Sequence, residues 1–255
     1  MRVESQRPCH NGGWLHALGE KTHYRPPPRP TDPIPTIDAD RIFRSYSAHS
    51  NSASALALSL GVSVCALASI GIAWAAEHRA WAFPMKDWQG KIVGIRLRNE
   101  AGEKWAVKGS RSGLFYTEGT ASQVAVAEGP TDTAAGLTIG LHTIGRPSCL
   151  GSEEEINRLI LRKQAREIII VADNDGPGYR GAEKLSRSLS VRCVIWVPPA
   201  KDLRDFVRSG GRKELIHSLT RSLIWIQPAN KTKEQPQQPD KVCTVQSNRV
   251  SSTFA

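Results

Sequence analysis

Cysteine is scarce in this chain. There are five in 255 residues, Cys9, Cys65, Cys149, Cys193 and Cys243, and no two are spaced as CxxC. The odd count and wide spacing exclude a secreted disulfide scaffold and a four-ligand zinc knuckle, and fit a reducing, cytoplasmic setting. The Cys-His pair of "PCH" (8–10) stands alone. The opening "MRVESQRPCHNGGWLH" has no apolar core, which excludes a secretory signal. From Ser45 to Ala76 there is no Asp, Glu, Lys or Arg. That stretch is long enough to span a bilayer, but its alanines and serines gain little from lipid. Gly61, Ser63 and Gly71 instead divide it into two short helices, the first ending at Gly61, the second capped by Ser63 and ended by Gly71. No membrane association is expected.

Positive charge is abundant. The formal net charge is +10 and the pI about 9.6, a balance that attracts polyanions, with nucleic acid the commonest. The organisation follows from composition and periodicity. Residues 1–36, with "YRPPPRPTDP", read as a flexible N-terminal arm. Residues 37–120 read as a small helical plus β-hairpin region. It is helical over 38–76, strand-like at "AWAFP" (80–84) and "GLFY" (113–116), and alternates over 91–98 and 104–108 around a turn at Glu100–Gly102.

Residues 121–210 change to short, wholly apolar runs alternating with helical patterns. The runs are "QVAVAEG", "LHTIG", "EIIIVAD" and "VRCVIWV". The order βαβαβαβ predicts an α/β fold, a parallel sheet covered by helices on both faces. Ser152 and Glu155 read as a capping box before "INRLILRK". Residues 211–226 read as a C-terminal helix reaching about Ile226, and 227–255 as a disordered basic tail.

The chemistry lies at strand ends. Glu128 closes the first sheet strand, and Asp173 and Asp175 close the third in "IIIVADNDGPG". C-terminal ends of parallel strands share one edge, where ligands bind. The spacing of Asp173 and Asp175 lets both face one side, and Asp132 joins from the first turn of the next helix. Carboxylates crowded together repel unless a cation compensates. Oxygen donors suit magnesium, with manganese the alternative. A lone "DND" before glycine more often marks a turn; two acid motifs closing two buried strands of one sheet favour a metal site.

"EGPTD" (128–132) followed by "IIIVADNDGPG" (168–178) resembles the Toprim domain of bacterial and phage-type primases, topoisomerases and some nucleases. The resemblance implies that Glu128 is a general acid or base or a metal ligand. It implies that Asp173 and Asp175 are the metal-binding pair, and that Asp132 is the acid primase-like members add. "IGRPS" (144–148) and "KDLRD" (201–205) resemble primase connecting turns. "GIRLRNEAGEKWAVKGSRSGLF" (94–115) resembles the small β region preceding Toprim in phage primase–helicase-like proteins. Arg204 departs from the small or polar residue usual in that turn. No four-ligand zinc module and no GxxxxGK[ST] loop are present, so template reading and unwinding are expected to be either lost or supplied by a partner such as a separate replicative helicase.

The implied function is Mg-dependent synthesis of short RNA primers on single-stranded DNA from nucleoside triphosphates. The alternatives are a Toprim nuclease and a noncatalytic DNA-binding module of a replication complex. Lys104, Lys108 and Arg111 are the candidate nucleotide or DNA contacts, with Arg96 and Arg98 behind them. Trp105 would either stack on a base or face the small β core.

Overall fold

A computed structural model describes residues 8–9, 13–14, 36–46 and 53–228. The chain divides into two units, Met1–Pro35 and Thr36–Ala255. In the first, β1 (Pro8–Cys9) and β2 (Gly13–Trp14) pair antiparallel, with Cys9 opposite Gly13. The remainder of the expected arm and nearly all of the expected tail lie outside the described residues.

The second unit begins with α1 (Ala39–Ser45), α2 (Ala53–Leu60) and α3 (Val64–Ile70). The breaks fall where the sequence puts them. Gly61 has φ +69, Ser63 Oγ accepts the amide of Ala66 at 3.1 Å, and Gly71 ends α3 in the left-handed region. α2 and α3 are bent by 110°, and no single helix among the described residues is long and apolar enough to cross a membrane. Their apolar faces are spent on the core: Leu56, Leu60, Leu67 and Ile70 pack in one cluster with Ala125, Ile169 and Val194 of the parallel sheet.

An antiparallel sheet follows in the order β3 (Ala73–Ala75), β4 (Ala80–Lys86), β5 (Ile92–Asn99) and β6 (Lys104–Ala106). Residues 73–75 correct the helical expectation. Once Gly71 has stopped α3, Ala73–Ala75 folds back on Ala80–Ala82 through a tight turn at Ala76–His78, and Trp74 packs edge-on against Trp81. Residues 113–116 are a second correction. They bridge the two sheets, with Leu114 opposite Lys86 and Phe115 opposite Gly145.

The parallel sheet has the order β10 (Arg192–Trp196), β9 (Glu167–Val171), β7 (Gln123–Glu128) and β8 (Thr143–Arg146). Alternation sends Ala125, Ile169 and Val194 to one face and Val124, Val126, Ile168, Ile170 and Cys193 to the other. Both faces are therefore apolar, and both are covered. Ala134 and Ala135 of α4 (Gly129–Thr138) and Ile216 of α8 (Lys213–Arg221) belong to the first cluster. Ile156, Leu159 and Ile160 of α5 (Glu153–Arg162) and Ala182 and Leu185 of α6 (Gly176–Ser188) belong to the second. α7 (Leu203–Arg208) packs beside α4.

Two local expectations fail. Ser152 sits at φ 68 and its side chain does not cap α5; Glu155 instead accepts the amide of Trp88 at 3.0 Å, tying the two sheet regions together. The last helix stops at Arg221, and Ile226 forms a bridge with Cys193 that extends the edge of β10.

The start of α4 lies hard against β8. A Cβ on Gly145 would stand 2.0 Å from Thr133 Oγ1 and 2.7 Å from the Gly129 carbonyl. Gly145→Ala should therefore lower stability by about 1–3 kcal/mol through overpacking. Urea unfolding checks this, and an unchanged midpoint would refute the close approach.

Candidate functional site

The four strand ends meet at one edge. Glu128 and Arg146 are register partners at the ends of β7 and β8. Asp173 follows β9, whose extension is held by the amide of Ala172 bonding to the Trp196 carbonyl at 3.0 Å. The next turn is pinned from the far side, with the Asn174 amide bonded to the Lys201 carbonyl at 2.8 Å and the Asp175 amide to the Asp173 carbonyl at 2.7 Å. Asp175 Oδ1 accepts the Gly178 amide at 2.7 Å and so caps α6. A Cβ on Gly178 would lie 2.7 Å from the Asp173 carbonyl, so a glycine is needed for α6 to start this close to the strand end. The turn reading of "DND" is thus seen directly, in the Asp175 cap and the bonds that pin the turn.

Asp132, in the first turn of α4, is only 7% exposed. Its Oδ1 accepts the Arg204 amide at 2.9 Å, joining α4 to the start of α7. Asp202 caps α7 through the Asp205 amide at 2.7 Å and lies 3.6 Å from Arg204 Nη2, which is also 3.3 Å from Asp205. Asp202 thereby adds another acid to the edge. It lies in a motif whose likeness to a primase turn was legible, while its own convergence on Asp132 and Asp173 was not.

Electrostatics register the crowding. Burial, then Asp202, push the Asp132 carboxyl up to about 7. Burial, then Glu128, Asp202 and Asp175, push Asp173 up to about 6. Glu128 is raised by burial, against the pull of Arg146. The edge is thus short of positive charge. An all-carboxylate donor set is the chemistry of a hard divalent cation, and magnesium commonly takes one or two carboxylates and completes its shell with water and phosphate. The residues fit such an ion at Asp173 and Asp175. Among the described residues, no three Asp, Glu, His or Cys side chains are grouped closely enough to hold one ion together.

The predicted basic residues divide. Lys104 is at the edge. Desolvation by the surrounding protein, then Arg98 and Arg204, lower its pKa, while Asp132 and Asp202 oppose the shift. Arg96 reaches the same region, Nη2 donating to the Pro147 carbonyl at 3.0 Å. Lys108 is exposed beyond β6. Arg111 is not at the edge: it lines a hollow with Asp38, Ala39 and Ile92 on the α1 side. Trp105 packs toward the small β core, which resolves its two readings in favour of the structural one. Arg146, 3% exposed, is the residue that sequence reasoning passed over. Its signal was positional: it ends a parallel strand at the register of Glu128.

No family model matches the chain. The Gene 57 protein of Mycobacterium phage D29 is 24% identical over 149 residues, covering 57% of this chain and 96% of that protein. Among solved structures, a DnaG primase catalytic domain bound to single-stranded DNA superposes with a TM-score of 0.55 at 16% identity, covering 73% of this chain and 77% of that one. The primase fragment of the bacteriophage T7 primase-helicase gives a TM-score of 0.51 at 18% identity, covering 64% and 72%. The chain therefore has the fold of primase catalytic cores.

Asp132 makes the charge shortage measurable. A carboxyl whose folded pKa lies above its unfolded value contributes most stability below the unfolded pKa and loses it as pH rises through the folded one, here about 7. Asp132→Asn keeps an acceptor for the Arg204 amide and removes the charge. In metal-free buffer it should raise Tm by several degrees at pH 8, on the order of 2–4 °C for each kcal/mol, and the gain should shrink toward pH 5. A gain that is the same at both pH values would contradict the shift.

Proposed function

We propose that the chain is a Toprim-type nucleotidyltransferase that makes short RNA primers on single-stranded DNA. The observation that carries this reading is the convergence of Glu128, Asp132, Asp173 and Asp175 at one edge of a primase-like fold, with Lys104 facing them. The fold supports it through its likeness to a catalytic domain bound to single-stranded DNA.

In this reading Asp173 and Asp175 hold magnesium, or manganese, which would neutralise the oxygens of a nucleoside triphosphate. The chain's own groups do the rest. Lys104, with Arg98 and Arg204 nearby, supplies positive charge to phosphates without reading bases. Glu128, whose pKa is raised by burial, would take the proton of the attacking primer 3′ hydroxyl as its oxygen bonds to the α-phosphorus and pyrophosphate departs. Asp132 fixes the α7 turn and keeps Asp202 and Arg204 at the edge.

The test is ribonucleotide incorporation on single-stranded DNA with magnesium, with and without a helicase. Asp173→Ala and Asp175→Ala should each cut synthesis roughly a hundredfold or more, by loss of charge stabilisation. No synthesis by the wild type would sink the proposal, and metal-dependent strand cleavage would favour the nuclease. For the phosphate contacts, Lys104→Ala should weaken single-stranded DNA binding for all sequences alike and flatten the log K against log salt slope by about 0.7. An unchanged slope would remove Lys104 from the interface.

A further inference from the structure

Arg146 is a buried guanidinium with little to hold it. It is 3% exposed. Its one hydrogen bond among the described residues is long, Nη1 to the Gly181 carbonyl at 3.4 Å, and its Nε has no partner. α6 lies close over the segment that follows it: a Cβ on Gly181 would stand 2.3 Å from the Cys149 carbonyl. A guanidinium carries five donors and stays charged in proteins, so a site that buries it this far without satisfying those donors is retaining its charge rather than its hydrogen bonds.

The charge has a destination. Arg146 is the register partner of Glu128 on the adjoining parallel strand, and Glu128 is the strongest carboxylate influence on it, with Glu153 and Asp173 further down. Glu128 lies between Arg146 and Asp173 along the edge. β7 lies between β8, which carries Arg146, and β9, which leads to Asp173. The positive charge is therefore asymmetric: the cation beside Glu128 is the enclosed Arg146, whereas the lysine acting on Asp173 is the exposed Lys104. Nor do Glu128, Asp173 and Asp175 form a three-ligand group.

We propose that Arg146 is a built-in counter-cation that takes the place of a divalent ion at Glu128. It confines metal to the Asp173–Asp175 side and leaves the Glu128 carboxylate free of metal. Arg146 is in this sense a positioning residue, acting through Glu128. The inference rests on the metal-dependent reading above and sharpens it. A fixed cation repels a second ion at close range in a poorly screened site, and it costs no metal-binding equilibrium to keep in place.

The test is direct titration of manganese(II) at pH 8 by electron paramagnetic resonance of the free ion, on the full chain without nucleotide. The wild type should bind one ion at this edge, lost in Asp173→Ala. Glu128→Gln should leave the affinity of that ion within about twofold, because a metal-free carboxylate is being neutralised. Arg146→Met should bind a second ion or bind manganese roughly tenfold tighter, and Arg146→Lys, which keeps the charge, should behave as wild type. Circular dichroism checks that each variant is folded. If Arg146→Met does not fold, the Glu128→Gln comparison still decides. Two ions in the wild type, or a tenfold loss of affinity in Glu128→Gln, would overturn the role of Arg146 and leave the primase reading standing. A wild type that binds no manganese would overturn both.

Discussion

Burial of several carboxylates at the C-terminal edge of the parallel sheet, with their mutual repulsion added to it, is the constraint on which this site turns. The register of β7, β8 and β9 sets Glu128 beside Arg146 and brings the residues after β9 to the same edge. Packing on both faces then removes water from these groups. Burial and crowding together raise Asp132 and Asp173 well above the ordinary carboxylate range. A protein that only needed a stable fold would gain by replacing such acids with neutral side chains. Their presence makes sense where positive charge arrives from elsewhere.

The rest of the second unit is arranged to deliver or retain that charge. The antiparallel sheet is joined to the parallel one by single bridges at Leu114 and Phe115, by the Glu155 contact with the Trp88 amide, and by Arg96 reaching Pro147. Lys104 lies within electrostatic range of Asp132 and Asp202. The α7 turn supplies Arg204, whose guanidinium contacts Asp202 and Asp205 and whose amide bonds to Asp132. The departure from the primase-like turn pattern at Arg204 thus places one more cation among the acids.

Much of this was legible in the sequence. The continuous apolar runs forecast a sheet covered on both faces. Gly61, Ser63 and Gly71 marked the helix breaks to the residue, and the two acid motifs marked the edge where the carboxylates converge. What failed depended on tertiary partners. Ala73–Ala75 has no strand signal beyond Trp74 and becomes a strand because β4 is there to pair with. Residues 113–116 look like an ordinary strand but are shared between two sheets. Ser152 has the spacing of a capping box, yet Glu155 is drawn to Trp88 and the box does not form. Arg111 has the charge expected of a phosphate contact, but the bend of its loop carries it to the α1 side.

Arg146 illustrates why charge type and position must be read together. As one of 34 basic residues it is unremarkable in composition, and a linker reading of "IGRPS" gives it no role. In a parallel sheet, however, the last residue of each strand occupies one edge, so an arginine ending β8 stands in the row with a glutamate ending β7. Lys104 and Arg146 then differ in kind. Lys104 is exposed on a three-residue strand, within the field of Asp132 and Asp202. Arg146 is enclosed beneath α6 and the turn after β8, where its charge is permanent and its neighbour fixed. One cation is open to solvent and the other is enclosed. This division gives Glu128 an enclosed cationic neighbour and Asp173 an exposed one.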